Sequence, residues 1–158
     1  MASAAVAERV LTADDFLSHP EDPDGRKLEL RDGRVVAVSQ PGVEHGIVSS
    51  NAFLALRPFV LAHRLGRVGF DTGFKLRASP DRVVNPDVFF ANQAVVASIL
   101  DIRKATPAAP TLAVEVSSPN DVEAEVQAKV GEYIAAGSAR VWVVRPAART
   151  VTVFRAGA

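Results

Sequence analysis

The sequence predicts an α/β fold, a mixed β-sheet with flanking helices, preceded by a short N-terminal helix and a β-hairpin. Three observations predict the α/β class. An Asp-Gly pair separates two short alternating strands near the N-terminus, two long segments carry apolar residues at helical spacing, and short β-rich runs lie between and after them. At 158 residues the chain has the size of one ordinary domain. Residues 1–158 are therefore expected to form a single domain, with 1–10 and 156–158 as flexible ends.

Thr12-Ala13-Asp14-Asp15 ahead of Phe16-Leu17 reads as a helix start, with Thr12 as cap and Asp15 as the capping-box acid. Residues 19–26, rich in Pro, Asp and Gly, read as a loop. Residues 27–30 and 35–38 then form a hairpin around Asp32-Gly33, with Leu28 and Leu30 on one face and Glu29 on the other. The segment 44–65 has helical spacing at Ile47, Val48, Phe53, Leu54, Leu56, Phe59 and Val60; Gly66 is its stop and Pro58 a kink or a break. Residues 68–76 and 83–90 read as one strand pair around the turn 78–81, and 94–100 as a weak helical piece. Residues 111–116 are a β-rich run. Ser118 and Pro119 then read as the cap and first turn of a helix through Val122, Val126, Val130 and Ile134 to Gly137. Two strands, 140–144 and 150–154, close the chain around Pro146.

Composition excludes several function classes. The 18 basic and 18 acidic residues balance, so any positive surface for nucleic acid must be local. Without cysteine there is no disulfide framework, thiolate zinc site or cysteine nucleophile. Residues 1–10 lack the features of a signal peptide, no apolar run reaches membrane-spanning length, and a cytoplasmic location is expected.

Asp87 and Glu115 stand inside apolar segments, where a carboxylate is costly to desolvate unless something pairs with it. Alternation puts Glu115 on one face with Ala113 and Ser117, and Leu112, Val114 and Val116 on the other. Two strand carboxylates are suitable ligands for Mg2+ or Mn2+, with the backbone carbonyl of Val116 as a third oxygen. Lys129 shares a helix stripe with Glu125 and Tyr133 at the edge of the apolar face. It either reaches the acids, to orient water or offset charge, or forms a surface ion pair with Glu125. Glu29 is either the solvent face of its hairpin or an accessory acid. His45, early in its helix, is a substrate contact, a base or a polar surface residue. His19 and His63 read as solvated, and Trp142 as a core or dimer contact. Arg26, Arg31 and Arg34 either hold phosphates or belong to a solvated loop.

Taken in order, these residues resemble a known family: Glu29 before an Asp-Gly hairpin, His45 opening a long helix, Pro86-Asp87-Val88, Leu112-Ala113-Val114-Glu115-Val116-Ser117-Ser118-Pro119, Lys129 followed by Tyr133 and Gly137, and Val141-Trp142-Val143-Val144. The pattern is similar to the Uma-type ("Uma two") restriction endonucleases, a large bacterial group of the PD-(D/E)XK nuclease superfamily, and covers roughly residues 12–154. The resemblance implies a restriction-endonuclease-like core, Asp87 and Glu115 as metal ligands, Lys129 as catalytic lysine and Glu29 as accessory acid. One departure concerns Ser117, which occupies the place of the usual superfamily lysine two residues after the second acid; the resemblance implies that Lys129, on the following helix, replaces it.

The expected function is metal-dependent hydrolysis of DNA by a homodimer, whose two-fold axis matches a double-strand cut. The alternative is a catalytically inactive protein of the same fold, serving as a nucleic-acid-binding or oligomeric interaction module. A serine hydrolase is disfavoured, because Ser117-Ser118 lacks the Gly-x-Ser-x-Gly elbow.

Overall fold

The computed structural model describes residues 10–38, 41–99, 101–119 and 121–157. Of the ends expected to be flexible, 1–9 and 158 lie outside the described residues. Thr12 and Asp15 form the capping box read from the sequence: the Asp15 amide donates to the Thr12 hydroxyl at 3.1 Å and the Thr12 amide to the Asp15 carboxylate at 2.9 Å, opening α1 (Ala13–Leu17). Strands β1 (Leu28–Arg31) and β2 (Arg34–Ala37) follow as a hairpin. Asp32 and Gly33 both have positive φ, 52° and 72°, the twist that a two-residue hairpin loop requires.

Helix α2 (Val43–Ala62) runs through Pro58 without being split. It ends before the expected stop, and Gly66 instead opens β3 (Gly66–Gly69). A Cβ on Gly66 would strike the backbone of Ala91, so the glycine permits close strand pairing.

The largest departure from the sequence reading lies in the expected pair 68–76 and 83–90, which is two pairings in two sheets. Strands β4 (Phe74–Arg77) and β5 (Arg82–Val84) pair around the turn, whereas β3 pairs with β6 (Val88–Asn92). Pro86 has no amide to offer a ladder, and its carbonyl accepts the Asp71 amide at 3.1 Å across the break. Strand β5 also pairs with β1, giving a four-stranded antiparallel sheet in the order β2-β1-β5-β4. The N-terminal hairpin is thus part of a sheet.

After α3 (Gln93–Ala97), capped by Asn92, come β7 (Leu112–Val116), α4 (Glu123–Ala135), β8 (Arg140–Arg145) and β9 (Thr150–Arg155). The second sheet runs β3-β6-β7-β8-β9 and is mixed, because β7 and β8 are parallel while the other pairs are antiparallel. Helix α4 starts later than Ser118-Pro119 predicts. The Ser118 amide donates to the Asp121 carboxylate at 2.8 Å, closing a turn, and Val122 becomes the residue before the first helical one.

Three apolar clusters fix the layers. Leu112 and Val114 pack with Ala52, Phe53 and Leu56 of α2. On the opposite face, Ala113, Val141 and Val143 pack with Val130 and Tyr133 of α4 and with Phe74 and Val84 of the smaller sheet. Ala13, Leu30 and Val83 cover that sheet's far side. The side of β7 that carries Glu115 therefore meets α4. Among the described residues, no helix is long and apolar enough to cross a membrane.

Candidate active site

The ladder between β6 and β7 brings the two acids together. Val88 stands opposite Val114, so one further step in the same register sets Asp87 opposite Glu115, where side chains share a face. Both acids line a cleft of about 520 Å3 between the two sheets and α4.

Helix α4 supplies the counter-charge. Lys129 Nζ donates to Glu115 Oε2 at 3.0 Å and to Glu29 Oε1 at 3.1 Å, and one turn later Tyr133 Oη donates to Glu115 Oε1 at 2.7 Å. Lys129 turns inward to these acids, away from the exposed Glu125 on its own stripe. Glu29 is 1% exposed, so the solvent-facing alternative for it does not hold. The reason is β5, which covers the hairpin and brings buried Arg82 against Glu29: Arg82 Nη1 donates to Glu29 Oε2 at 3.1 Å and Arg82 Nε to Glu132 Oε2 at 2.8 Å. A charged chain results, Glu132–Arg82–Glu29–Lys129–Glu115.

Asp87 is held differently. Its Oδ2 accepts the Val116 amide at 2.7 Å and lies 3.1 Å from His45 Nε2, while Lys27 Nζ stands 3.9 Å from Oδ1. His45 comes from the first turn of α2, with Ser49 Oγ 3.5 Å from its other ring nitrogen. Ser117 lines the cleft, but its hydroxyl donates to the Val144 carbonyl at 3.2 Å and its amide to the same oxygen at 2.8 Å.

The electrostatics follow. Burial raises the proton affinity of Asp87, but the hydrogen bonds from His45 and Val116 outweigh it and hold the pKa below the ordinary value. The bond to Asp87 raises the pKa of His45. Burial pushes Glu115 upward, Lys129 opposes that shift, and the Asp87 charge adds to it. Burial disfavours the Lys129 ammonium, yet Glu115 and Glu29 together raise its pKa above the ordinary value, so it stays charged. Glu29 is disfavoured by burial but held low by Lys129 and Arg82.

All four acids and bases expected at the site, Glu29, Asp87, Glu115 and Lys129, line one cleft together with His45, Val116 and Ser117. Arg82, Glu132 and Lys27 were not singled out by the sequence reading. Arg82 beside Asp81 resembles a turn residue, and only the pairing of β1 with β5 reveals its burial. His19 and His63 are exposed, with ring nitrogens near the carbonyls of Pro20 and Phe59. Arg26 pairs with Asp22, and Trp142 packs in the cluster around Val88 and Val114. Among the described residues, no group of three His, Cys, Asp or Glu side chains gathers as a metal cluster.

The family described as "Uma2: Putative restriction endonuclease" matches residues 13–158. A crystal structure described as "a putative nuclease belonging to DUF820" from Anabaena variabilis shares the fold, with a TM-score of 0.76 and 20% sequence identity, over 94% of this chain and 81% of that one. Among curated proteins no relative matches. A match across nearly all of the chain identifies its family: this protein belongs to the Uma2 family and has a restriction-endonuclease-like fold.

Proposed function

We propose that this chain is a nuclease that hydrolyses DNA phosphodiester bonds with a magnesium or manganese ion, and that it cuts as a homodimer. The observation that carries the reading is Lys129 Nζ, 3.0 Å from Glu115 and 3.1 Å from Glu29, which supplies from α4 the ammonium that Ser117 cannot. Asp87, Glu115 and the carbonyl of Val116 would hold the ion. Their fit rests on donor chemistry: the register of β6 and β7 sets two carboxylates opposite each other beside the Val116 carbonyl, and hard oxygen donors suit such cations. When bound, the ion supplies an activated water and offsets charge developing on the phosphate.

The protein groups divide the remaining work. Asp87 stays ionised across the physiological range, anchored by the Val116 amide and His45. Lys129, with its raised proton affinity, serves as a fixed positive charge and hydrogen-bond donor toward the developing oxyanion; it is unsuited to act as a base. Glu29, itself fixed by Arg82, aims that ammonium.

A specific observation favours the second reading, a non-catalytic module of the same fold: both oxygens of Glu115 and the hydroxyl of Ser117 already have partners inside the protein. Incubating supercoiled and linear DNA with magnesium or manganese separates the two. The nuclease reading expects cutting by the wild type and its loss in Asp87→Ala and Glu115→Ala. Cutting that survives both substitutions refutes it, and a folded protein that binds no metal by calorimetry supports the module.

A further inference from the structure

Beyond His45, a second hollow of about 480 Å3 adjoins the acid cluster. Lys27, His45 and Asp87 line both spaces, whereas Phe53, Leu54 and Phe70 make the second one apolar. Phe70 directly follows β3 and is 63% exposed; Leu54 of α2 is exposed to the same degree. Phe53 meets Phe70 at an interplanar angle of 79°, with centroids 5.5 Å apart. That contact orients the Phe70 ring and leaves most of it in water.

An oriented, solvated aromatic ring opening onto a phosphodiester-cutting site is a stacking platform in search of a flat apolar partner. We propose that this hollow receives the base of the nucleotide next to the scissile phosphate, and that the strand there is unpaired, with Phe70 stacking on the base. The inference rests on the nuclease reading and names its substrate class. A base within a duplex has both faces covered by its neighbours, so only an unpaired or extruded base offers a face to the ring.

One cation stands where the strand would pass. Lys27, held by the Asn85 carbonyl at 3.0 Å and Asp71 at 2.9 Å, stands at the junction of the two spaces, where the backbone linking a bound base to the bond being cut has to pass. Ser49 and Ser50 at the wall offer hydroxyls that both donate and accept, so they tolerate any base edge.

The test uses single-stranded DNA carrying one 2-aminopurine and the same strand in a perfect duplex, each titrated in calcium to allow binding while slowing cutting. Wild-type protein is expected to quench the fluorescence of the single strand, to bind it more tightly than the duplex, and to lose about tenfold in affinity in Phe70→Ala, with Phe70→Tyr restoring it. Circular dichroism checks that the exposed position leaves the fold intact. Equal affinity and quenching in Phe70→Ala, or equal binding of strand and duplex, overturns the proposal. So does a Phe70→Ala effect confined to sedimentation, which would assign the hollow to a second copy of the chain. Cleavage is scored separately: cutting without quenching defeats only the base subsite, and quenching without cutting defeats only the nuclease reading.

Discussion

The two acids at the centre of the cleft face each other but are stabilised by opposite means. Asp87 is surrounded by hydrogen-bond donors, an amide and an imidazole, with its nearest lysine at 3.9 Å. Glu115, exposed to the same small degree, is answered by the Lys129 ammonium and the Tyr133 hydroxyl, and is tied through Glu29 to buried Arg82. The Asp87 half is local and tunable, and the Glu115 half is a buried network whose members depend on one another. Hydrogen bonds from His45 and Val116, with the charges of His45 and Lys27, outweigh burial and lower the pKa of Asp87, whereas in the other half burial leaves Glu115 raised despite the Lys129 charge beside it.

Removing one member of the buried network is the strongest way to break the comparison. Arg82→Met leaves Glu29, 1% exposed, without its guanidinium, and a loss of about 3–5 kcal/mol in unfolding free energy is expected from denaturant titration. A change within the range of ordinary surface substitutions would show that Lys129 alone satisfies Glu29.

A smaller effect, visible only with pH, is expected on the other half. Because the folded pKa of His45 is raised above its ordinary 6.5, the stability it contributes is fully present below that value and fades as pH rises through the folded pKa. Asp87, whose folded pKa is lowered from 3.8, contributes stability above that value and loses it as pH falls through the folded pKa. The pair therefore works best in the acid-to-neutral window between them. In metal-free protein, His45→Asn should cost about 1–2 kcal/mol near pH 5 and less near pH 9. An equal cost at both, by urea unfolding, contradicts the assignment of charge to this contact.

The smallest effect belongs to Ser117. Ser117→Ala removes one hydrogen bond to the Val144 carbonyl and should cost about 0.5–1.5 kcal/mol of stability while leaving any cleavage unchanged. A large loss of cleavage with stability intact would move Ser117 into the chemistry.

What the sequence made legible was local. The capping box of Thr12 and Asp15, the Asp32-Gly33 turn, the alternation that separates Glu115 from Val114, and the helical step from Lys129 to Tyr133 all depend on neighbours a few residues apart. The burial of Glu29 was not legible, because it depends on β1 pairing with a strand about fifty residues later, and the partner in that strand, Arg82, follows a turn aspartate. The split of 68–76 and 83–90 between two sheets was hidden for a related reason: β-propensity marks both halves as strand, and only the missing amide of Pro86 hints at the break. Helix α2 misled differently. Ile47, Leu54 and Phe59 fit helical spacing, yet all three are exposed while Val60 is buried, since periodicity gives the helix and not the side that is covered.

Cleavage of supercoiled DNA in magnesium or manganese by Lys129→Met tests the central claim most directly. The variant is expected to fold, to keep Asp87 and Glu115, and to cut about 10²- to 10³-fold more slowly than the wild type, with Lys129→Arg failing to restore the rate because a planar guanidinium does not reproduce a compact ammonium. Cutting by Lys129→Met at the wild-type rate would contradict the account, leaving the lysine as no more than a counter-ion for Glu29 and Glu115.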